Sequence, residues 1–492
     1  MIHGFAVSSR WFALAWLCLL VLLNCSGYAA DTPAGSKPNI VFILADDLGI
    51  NDLGCYGRKD HQTPHLDRLA AEGIRFTDAY AAASVCSPTR AALMTGLAPA
   101  RVKITTFMPG RADAASQKLL QAKILNSLPK QLQTLPECLK EAGYATACIG
   151  KWHLGGKDSQ PRDHGFDRFF PGKARTVPSE TEGSKGETLL TDRACQFIAE
   201  KKEQPFFLYL AHHTPHIPYA ARPDRIEANR SAHEPAYAAT IELLDASVGR
   251  VLAKLDELKL REKTLVIVSS DNGGLHVPEL NHQRITHCTP FRAGKGFLYE
   301  GGIRVPLLVR WPGQIPAGRV CRTPVITTDW LPTLVEFAGA TPPKRLDGTS
   351  LAGLLRGTQE LPERALCWYQ PHYVNQGGRP SGAIRVGRWK FIEHYDFPNI
   401  ELYDLQTDPG EVTNVADKHP EIVNRLKQQL ADWRREVNAE EMAPNPAFQE
   451  ELFRKLYVEI DPSRYNSATA SPEEFQRMQS WRALMDKVVR KE

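Results

Sequence analysis

The strongest constraint on this chain is a set of short apolar runs with no polar residue at alternate positions. Residues 39–44 read Asn-Ile-Val-Phe-Ile-Leu and stop just before the acidic pair Asp46-Asp47. Comparable runs occupy 206–211, 264–270 and 304–310, the last with the centre Val305-Pro306-Leu307-Leu308-Val309. A strand that is apolar on both faces belongs inside a sheet covered on both sides, the usual setting of parallel strands. Helical spacing separates the runs, at 63–72, 133–142 and 236–258, and the last places Ile241, Leu244, Val248, Val251, Leu252 and Leu255 on one face. Strands alternating with helices predict an α/β fold with a large, mostly parallel central sheet flanked by helices. Functional residues in such sheets gather beyond the carboxyl ends of the strands.

The texture changes after residue 360. Short strand patterns at 365–369, 382–386, 389–394 and 400–403 precede a helical stretch at 420–437, which predicts a small antiparallel sheet with one helix on it. From 438 onward the pattern is that of a polar helical extension, suited to capping a surface or a neighbouring subunit. The expected division is a leader at 1–30, an α/β catalytic domain at 31–360, a C-terminal α+β subdomain at 361–440 and a helical extension at 441–492. With 60 Lys+Arg against 56 Asp+Glu, the formal charge is only +4. No Lys/Arg run accompanies it, so a nucleic-acid partner is not expected.

Arg10 is followed by the apolar stretch 11–23 and then by Ser26-Gly27-Tyr28-Ala29-Ala30. This is the order of a secretory signal cleaved after Ala29 or Ala30, and it predicts a secreted or periplasmic protein. The apolar stretch falls short of the ~20 residues of a membrane span, so no membrane span is expected. A lipoprotein box ending at Cys25 is the other reading, with Asn24 where a small residue belongs. Loss of the leader removes Cys18 and Cys25 and leaves eight scattered cysteines, without a Cys-x-x-Cys pair. If Cys86 is used in chemistry, seven remain, an odd number whose pairing the sequence leaves open.

The most specific motif is Cys86-Ser87-Pro88-Thr89-Arg90, followed by Thr95-Gly96. Alone, it could be a buried cysteine beside a proline turn, since short patterns recur by chance. Together with the motifs below, it makes the chain resemble the type I sulfatases of the alkaline phosphatase superfamily, over roughly residues 38–440. The resemblance implies that Cys86 is oxidised to formylglycine by a formylglycine-generating enzyme or an anaerobic maturase. A hydrated aldehyde offers two hydroxyls: one attacks sulfur, and the other expels sulfate as the carbonyl re-forms. A serine would leave a stable sulfate ester without that exit.

Asp46-Asp47 follow the first apolar run and Asp271-Asn272 follow the third. Oxygen ligands at two strand ends can converge on one hard cation, Ca²⁺ rather than Mg²⁺, with position 86 completing the set. Read by itself, the acidic pair could merely cap a helix. Lys151-Trp152-His153 follow a strand pattern at 145–149, and alternation would put Lys151 and His153 on one side. By the resemblance this pair supports the sulfate and handles the hydroxyl of residue 86; otherwise it is a surface pair. Within His212-His213-Thr214-Pro215-His216-Ile217-Pro218 the resemblance favours His216 as proton donor to the leaving alcohol. A register with His213 in that role stays open, and His212 and His213 otherwise read as structural. Lys295, between Gly294 and Gly296 and ahead of Glu300-Gly301-Gly302, is implied to contact the sulfate; its plain alternative is an exposed loop lysine. Arg90 would organise the nucleophile, and Asp271 would accept its proton.

The implied activity is hydrolysis of a sulfated carbohydrate, with a galactose- or N-acetylgalactosamine-6-sulfate ester as the expected substrate. A broad arylsulfatase, a phosphonate or phosphodiester hydrolase, and an inactive glycan-binding protein on the same scaffold are the alternatives. The last would not need Cys86, Arg90, Lys151, His216 and Lys295 together. Segments 102–128, 273–292 and 370–381 are expected to line the entrance, with His276, His372 and Arg379 either as contacts or as ordinary loop residues.

Overall fold

Strand β1 (Asn39–Asp46) is buried at every position because its two faces serve two different cores. Ile40, Phe42 and Leu44 enter one apolar cluster, while Val41, Ile43 and Ala45 enter another on the opposite side. Each such fully buried side chain contributes about 1.5–3 kcal/mol, which is why no polar residue interrupts the run. The structure is a computed structural model and describes Met1 and residues 37–173, 177–279 and 286–489. Apart from Met1, the leader expected at 1–30 lies outside the described residues.

The other strands of the large sheet are β2 (Ile74–Phe76), β3 (Ala145–Gly150), β4 (Arg168–Phe170), β5 (Phe206–Pro215), β6 (Thr264–Ser270), β7 (Leu307–Arg310) and β8 (Arg319–Cys321). Their spatial order is β8-β2-β7-β6-β1-β5-β3-β4. Five neighbours, β6-β1-β5-β3-β4, run parallel, and β8 is parallel to β2. The run expected at 304–310 begins as a strand only at Leu307 and is antiparallel to both neighbours. Burial on both faces produces the same apolar run whichever way a strand points, so the sequence pattern cannot distinguish the two directions.

Helices α1 (Pro64–Ala71), α4 (Glu187–Lys201) and α5 (Pro235–Glu257) cover one face, while α2 (Cys86–Thr95), α3 (Leu135–Glu141) and α6 (Trp330–Ala338) cover the other. Helix α3 starts where Thr134 and Glu137 form a reciprocal cap. The expected stripe on α5 is buried in full.

The C-terminal strands β9 (Ala365–Gln370), β10 (Ser381–Val386), β11 (Trp389–His394) and β12 (Ile400–Asp404) form an antiparallel meander. Helix α7 (Pro420–Glu436) packs Leu426 and Leu430 against it. Beyond it, α8 (Glu450–Tyr457) and α9 (Pro472–Val489) bury Phe453, Leu456, Met478, Trp481 and Met485 with Ile217, Leu275 and Tyr373. The extension is polar only on its outer side. The eight cysteines of the described residues are all free thiols.

Candidate active site

The parallel register carries the chemistry. The carboxyl ends of β3, β5, β1 and β6 lie side by side, so the residues just past them share one edge of the sheet. Asp46 and Asp47 leave β1, Lys151 and His153 follow β3, His216 follows β5, and Asp271 and Asn272 follow β6. Gly150 lets β3 approach β5 closely: at φ +107°, any Cβ there would fall 1.9 Å from the carbonyl oxygen of Ala211. Two residues of the group, Asp47 (φ 68°) and His153 (φ 56°), hold the left-handed conformation that side chains rarely adopt. Such strain costs about 1–3 kcal/mol each and persists where surrounding contacts fix it.

Cys86 is the first residue of α2, a helix buried along its whole length, and its side chain is 3% exposed. Its sulfur lies 3.2 Å from His153 Nδ1. The opposite ring nitrogen, Nε2, is 2.9 Å from the carbonyl of Met108. A carbonyl only accepts, so Nε2 carries the proton and Nδ1 presents a lone pair to residue 86. Burial alone would raise the Cys86 thiol, but Lys151, His153 when its ring is charged, and Lys295 outweigh it and bring it down to about 6. The field at this position therefore favours an anion.

Arg90, one turn along α2, donates through Nε and Nη2 to Asp271 Oδ2 at 2.9 and 2.7 Å and through Nη1 to the Lys151 carbonyl at 3.0 Å. The Tyr209 hydroxyl lies 3.3 Å from the same Nη1. Lys151 Nζ donates to Asp46 Oδ2, and Lys295 Nζ to Asp47 Oδ2, both at 2.7 Å. Asp47 Oδ1 accepts from Asn272 Nδ2 at 2.8 Å, and the Asp47 amide donates to Asp271 Oδ1 at 3.2 Å. Ligand atoms of Asp46, Cys86 and Asp271 all lie within 4.8 Å of one another, as do those of Asp46, Asp47 and His216. Buried among these groups, Asp46 Oδ1 and Asn272 Oδ1 have no hydrogen-bond partner among the described residues. Oxygen atoms placed like this suit a hard cation.

Burial pushes the Asp271 carboxyl up to about 7, helped by Asp46 against the pull of Arg90. Burial would also raise Asp46, but Lys151, His216 and Arg90 together hold it well below the usual range. Lys295 is pushed upward despite its burial because Asp47 faces it. His216 Nδ1 is 2.7 Å from the carbonyl of Ile217, so in the neutral ring Nε2 is bare; it points toward Asp47 Oδ2 at 3.7 Å. Burial, with Lys295 close by, pulls this imidazole down to about 4 although a third of its side chain is exposed.

All ten candidate residues thus meet at one edge of the sheet. Lys151 and His153 do so without strand alternation, because β3 ends at Gly150 and the left-handed turn at His153 redirects the chain. His212 is buried against Ser247 at 3.0 Å and has the structural role expected of it, whereas His213 borders the site cavity. That cavity, of about 670 Å³, is lined by Asp46, Lys151, His153, Lys185, His213 and His216 with Phe169, Pro171, Ile217 and Pro218. Another hollow, of about 290 Å³ between Arg292 and the small sheet, contains none of these ten residues but is lined by Arg379 and other residues of 370–381.

The entrance differs from expectation. It is built from 150–160, 169–172 and 213–218, while His276 and His372 are buried and bonded to the Pro462 carbonyl and the Thr105 hydroxyl. Arg379 faces Asp396 at 3.9 Å. The sequence reading passed over Lys185 and Tyr209. Lys185 sits in Gly183-Ser184-Lys185-Gly186, with a glycine on one side where Lys295 has one on each.

Comparison with known proteins agrees with this geometry. The sulfatase family model matches residues 38–340, and that of the N-sulphoglucosamine sulphohydrolase C-terminal region matches 293–436. Human arylsulfatase A is 35% identical over 478 residues, covering 83% of this chain and 89% of its own. N-acetylgalactosamine-6-sulfatase of Canis lupus familiaris is 36% identical over 453 residues, covering 83% of each. The crystal structure of Ps i-CgsB with k-i-k-neocarrahexaose superposes with a TM-score of 0.70 at 28% identity, covering 81% of this chain and 93% of that one. Sequence, fold and relatives agree: the chain belongs to the sulfatase family and is an enzyme that hydrolyses sulfate esters.

Proposed function

We propose that the enzyme removes sulfate from a saccharide, using Cys86 as formylglycine and a calcium ion held by Asp46, Asp47, Asp271 and Asn272, with position 86 completing the set. The two partnerless buried oxygens and the oxygen-rich donor set support calcium. When bound, the ion supplies Lewis-acid polarisation of a sulfate oxygen. Formylglycine supplies the nucleophilic hydroxyl and the route by which sulfate is released.

The remaining work falls to side chains already in place. Asp271 takes a proton from the attacking hydroxyl, and Arg90 fixes that carboxylate through two N–H groups on its Oδ2. His153 Nδ1, with its lone pair toward residue 86, accepts the proton whose loss lets sulfate leave. Lys151 and Lys295 stand ready as ammonium groups to meet the sulfate oxygens, and fixed charges act without reorganisation as the transition state forms. His216 donates to the leaving alcohol through Nε2, which requires the imidazolium form, favoured when an anion enters. Lys295, already protonated beside Asp47, assists that departure.

The saccharide assignment draws on the cavity, where apolar Phe169, Pro171 and Pro218 face polar His213, Gln160 and Lys185. It also draws on relatives named N-acetylgalactosamine-6-sulfatase. No helix among the described residues is long and apolar enough to cross a membrane. The leader pattern at 1–30 supports a secreted or periplasmic enzyme, and the Cys86 motif supports maturation by a formylglycine-generating enzyme or an anaerobic maturase.

The observation that carries the proposal is the Cys86 sulfur 3.2 Å from His153 Nδ1, at the margin of a cluster of three aspartates and three cations. Protein made with its maturation machinery should hydrolyse 4-nitrophenyl sulfate and N-acetylgalactosamine 6-sulfate, and Cys86→Ala should be at least about a thousandfold slower. Equal turnover by the two proteins would remove Cys86 as nucleophile.

A further inference from the structure

Lys185 differs from the other cations at the site in that its ammonium forms no ion pair among the described residues. Glu187 fixes its backbone, accepting from the amides of Ser184 and Lys185 at 2.7 and 2.8 Å and from the Thr214 hydroxyl. The Lys185 side chain crosses under the His216 loop, is 3% exposed, and donates through Nζ to the carbonyl oxygens of Ile217, at 2.9 Å, and of His216. Both acceptors are neutral. Arg90, Lys151 and Lys295 each form an ion pair with an aspartate. Among the described residues, no carboxylate oxygen lies within 4.0 Å of Lys185 Nζ. Consistent with this, burial pulls the ammonium down to about 8, with Asp46, Asp47 and Glu187 opposing only in part.

A buried cation without a counter-ion is a cost to the fold, and a chain keeps it readily only where something offsets that cost. Lysine has three N–H donors. Two go to the carbonyls, which leaves one for the cavity that Lys185 lines together with Lys151, His213 and His216. Lys185 lines the cavity beside His216, and with His216 as proton donor to the leaving alcohol this is the leaving-group side.

We propose that Lys185 is a specificity residue that receives a second anionic group, sulfate or carboxylate, carried by the leaving saccharide next to the scissile ester. The inference rests on the saccharide sulfatase reading and narrows it to polyanionic substrates.

The test measures binding, so that its failure is separable from failure of the hydrolytic reading. Calcium-loaded Cys86→Ala protein, chosen to suppress turnover, is titrated calorimetrically with N-acetylgalactosamine 6-sulfate and with the 4,6-disulfate. A second pair, glucuronate-linked N-acetylgalactosamine 6-sulfate and its methyl ester, separates carboxylate from sulfate. One charge-assisted hydrogen bond should favour the dianionic member of at least one pair by about tenfold or more. Adding Lys185→Met should bring that ratio to within about twofold, and adding Lys185→Arg should restore part of it. No preference in the parent protein would overturn the proposal. So would an unchanged ratio in the Lys185→Met protein, or equal weakening of both members, which would mark Lys185 as a support for the His216 loop alone. Turnover of 4-nitrophenyl sulfate by the matured protein is scored separately and tests the hydrolytic reading.

Discussion

Two buried clusters in this enzyme have the same formal make-up and opposite consequences. At the active site, Asp46, Asp47 and Asp271 meet Arg90, Lys151 and Lys295. At the seam between the two sheets, Asp78, Glu300 and Glu411 meet Arg304, Arg385 and Lys390. In the seam, Lys390 Nζ bridges Glu300 and Glu411 at 2.9 and 2.8 Å, and Arg304 bridges Glu300 and Asp78 at 3.1 and 2.9 Å. Arg385 lies 2.7 Å from Asp78, and the Tyr80 hydroxyl donates to Glu300 at 2.7 Å. Backbone strain does not distinguish the clusters, since Glu411 (φ 52°) is as left-handed as Asp47. Space does. The site borders a cavity and keeps the Asn272 oxygen without a donor and the Asp46 Oδ1 oxygen with only Arg90, 4.0 Å away. Buried charge becomes a site when some of its valence is left for a visitor; closed upon itself, it is a rivet.

The largest combined effect of a substitution on stability and chemistry should come from Arg90→Ala, which strands Asp271. Breaking a buried pair costs about 3–5 kcal/mol, and loss of a preorganised charge costs about a hundredfold or more in kcat. Urea unfolding and steady-state kinetics should both register the change, and an unaltered kcat would undo the assignment of Arg90 to the chemistry. Lys390→Met strands two glutamates and should cost a similar 3–5 kcal/mol. Here kcat per folded molecule should stay within about twofold, and a collapse like that of Arg90→Ala would erase the contrast between the clusters. Chelation should abolish turnover and lower thermal stability, by about 2.7 kcal/mol if calcium was present at a hundred times its Kd. The Lys390→Met protein should lose the same increment, because the proposed calcium ligands lie in the other cluster; identical melting curves with and without chelator would argue against calcium.

The smallest effect concerns pH. Two acids share Lys390. Burial would raise Glu300, but Lys390 and Arg304 hold it down at about 2, whereas burial lifts Glu411 to about 7. A carboxyl raised in the folded state binds its proton more tightly there than in the unfolded chain. Stability should therefore decline as pH climbs from the ordinary carboxylate range toward 7. Glu411→Gln should flatten that decline in urea midpoints measured between pH 5 and 7, and an unchanged slope would mean that another group sets it.

Much of this was legible in the sequence because burial and chemistry leave marks in residue order. The apolar runs exposed the sheet, and the acids after 39–44 and 264–270 marked its functional edge, since parallel strands end together. The direction of β7 was not legible, because a doubly covered strand looks alike either way. Neither was the entrance: His276 and His372 sit in segments of irregular composition, and only tertiary contacts bury them. Lys185 escaped notice because its partners are backbone carbonyls, to which any residue type contributes equally. The seam was hidden for a related reason: Glu300 and Lys390 are distant in sequence, and a lone charge in a string of letters resembles any solvated one.

The Cys86 sulfur is almost wholly covered, on a helix with no exposed residue. Another protein cannot reach it in the finished fold. On the proposed reading, an enzyme that oxidises this side chain would have to meet the chain while α2 is still unpacked, and maturation would be a race against collapse. If residue 86 is matured as proposed, a variant that folds faster would be activated less often although no residue near the active site had changed.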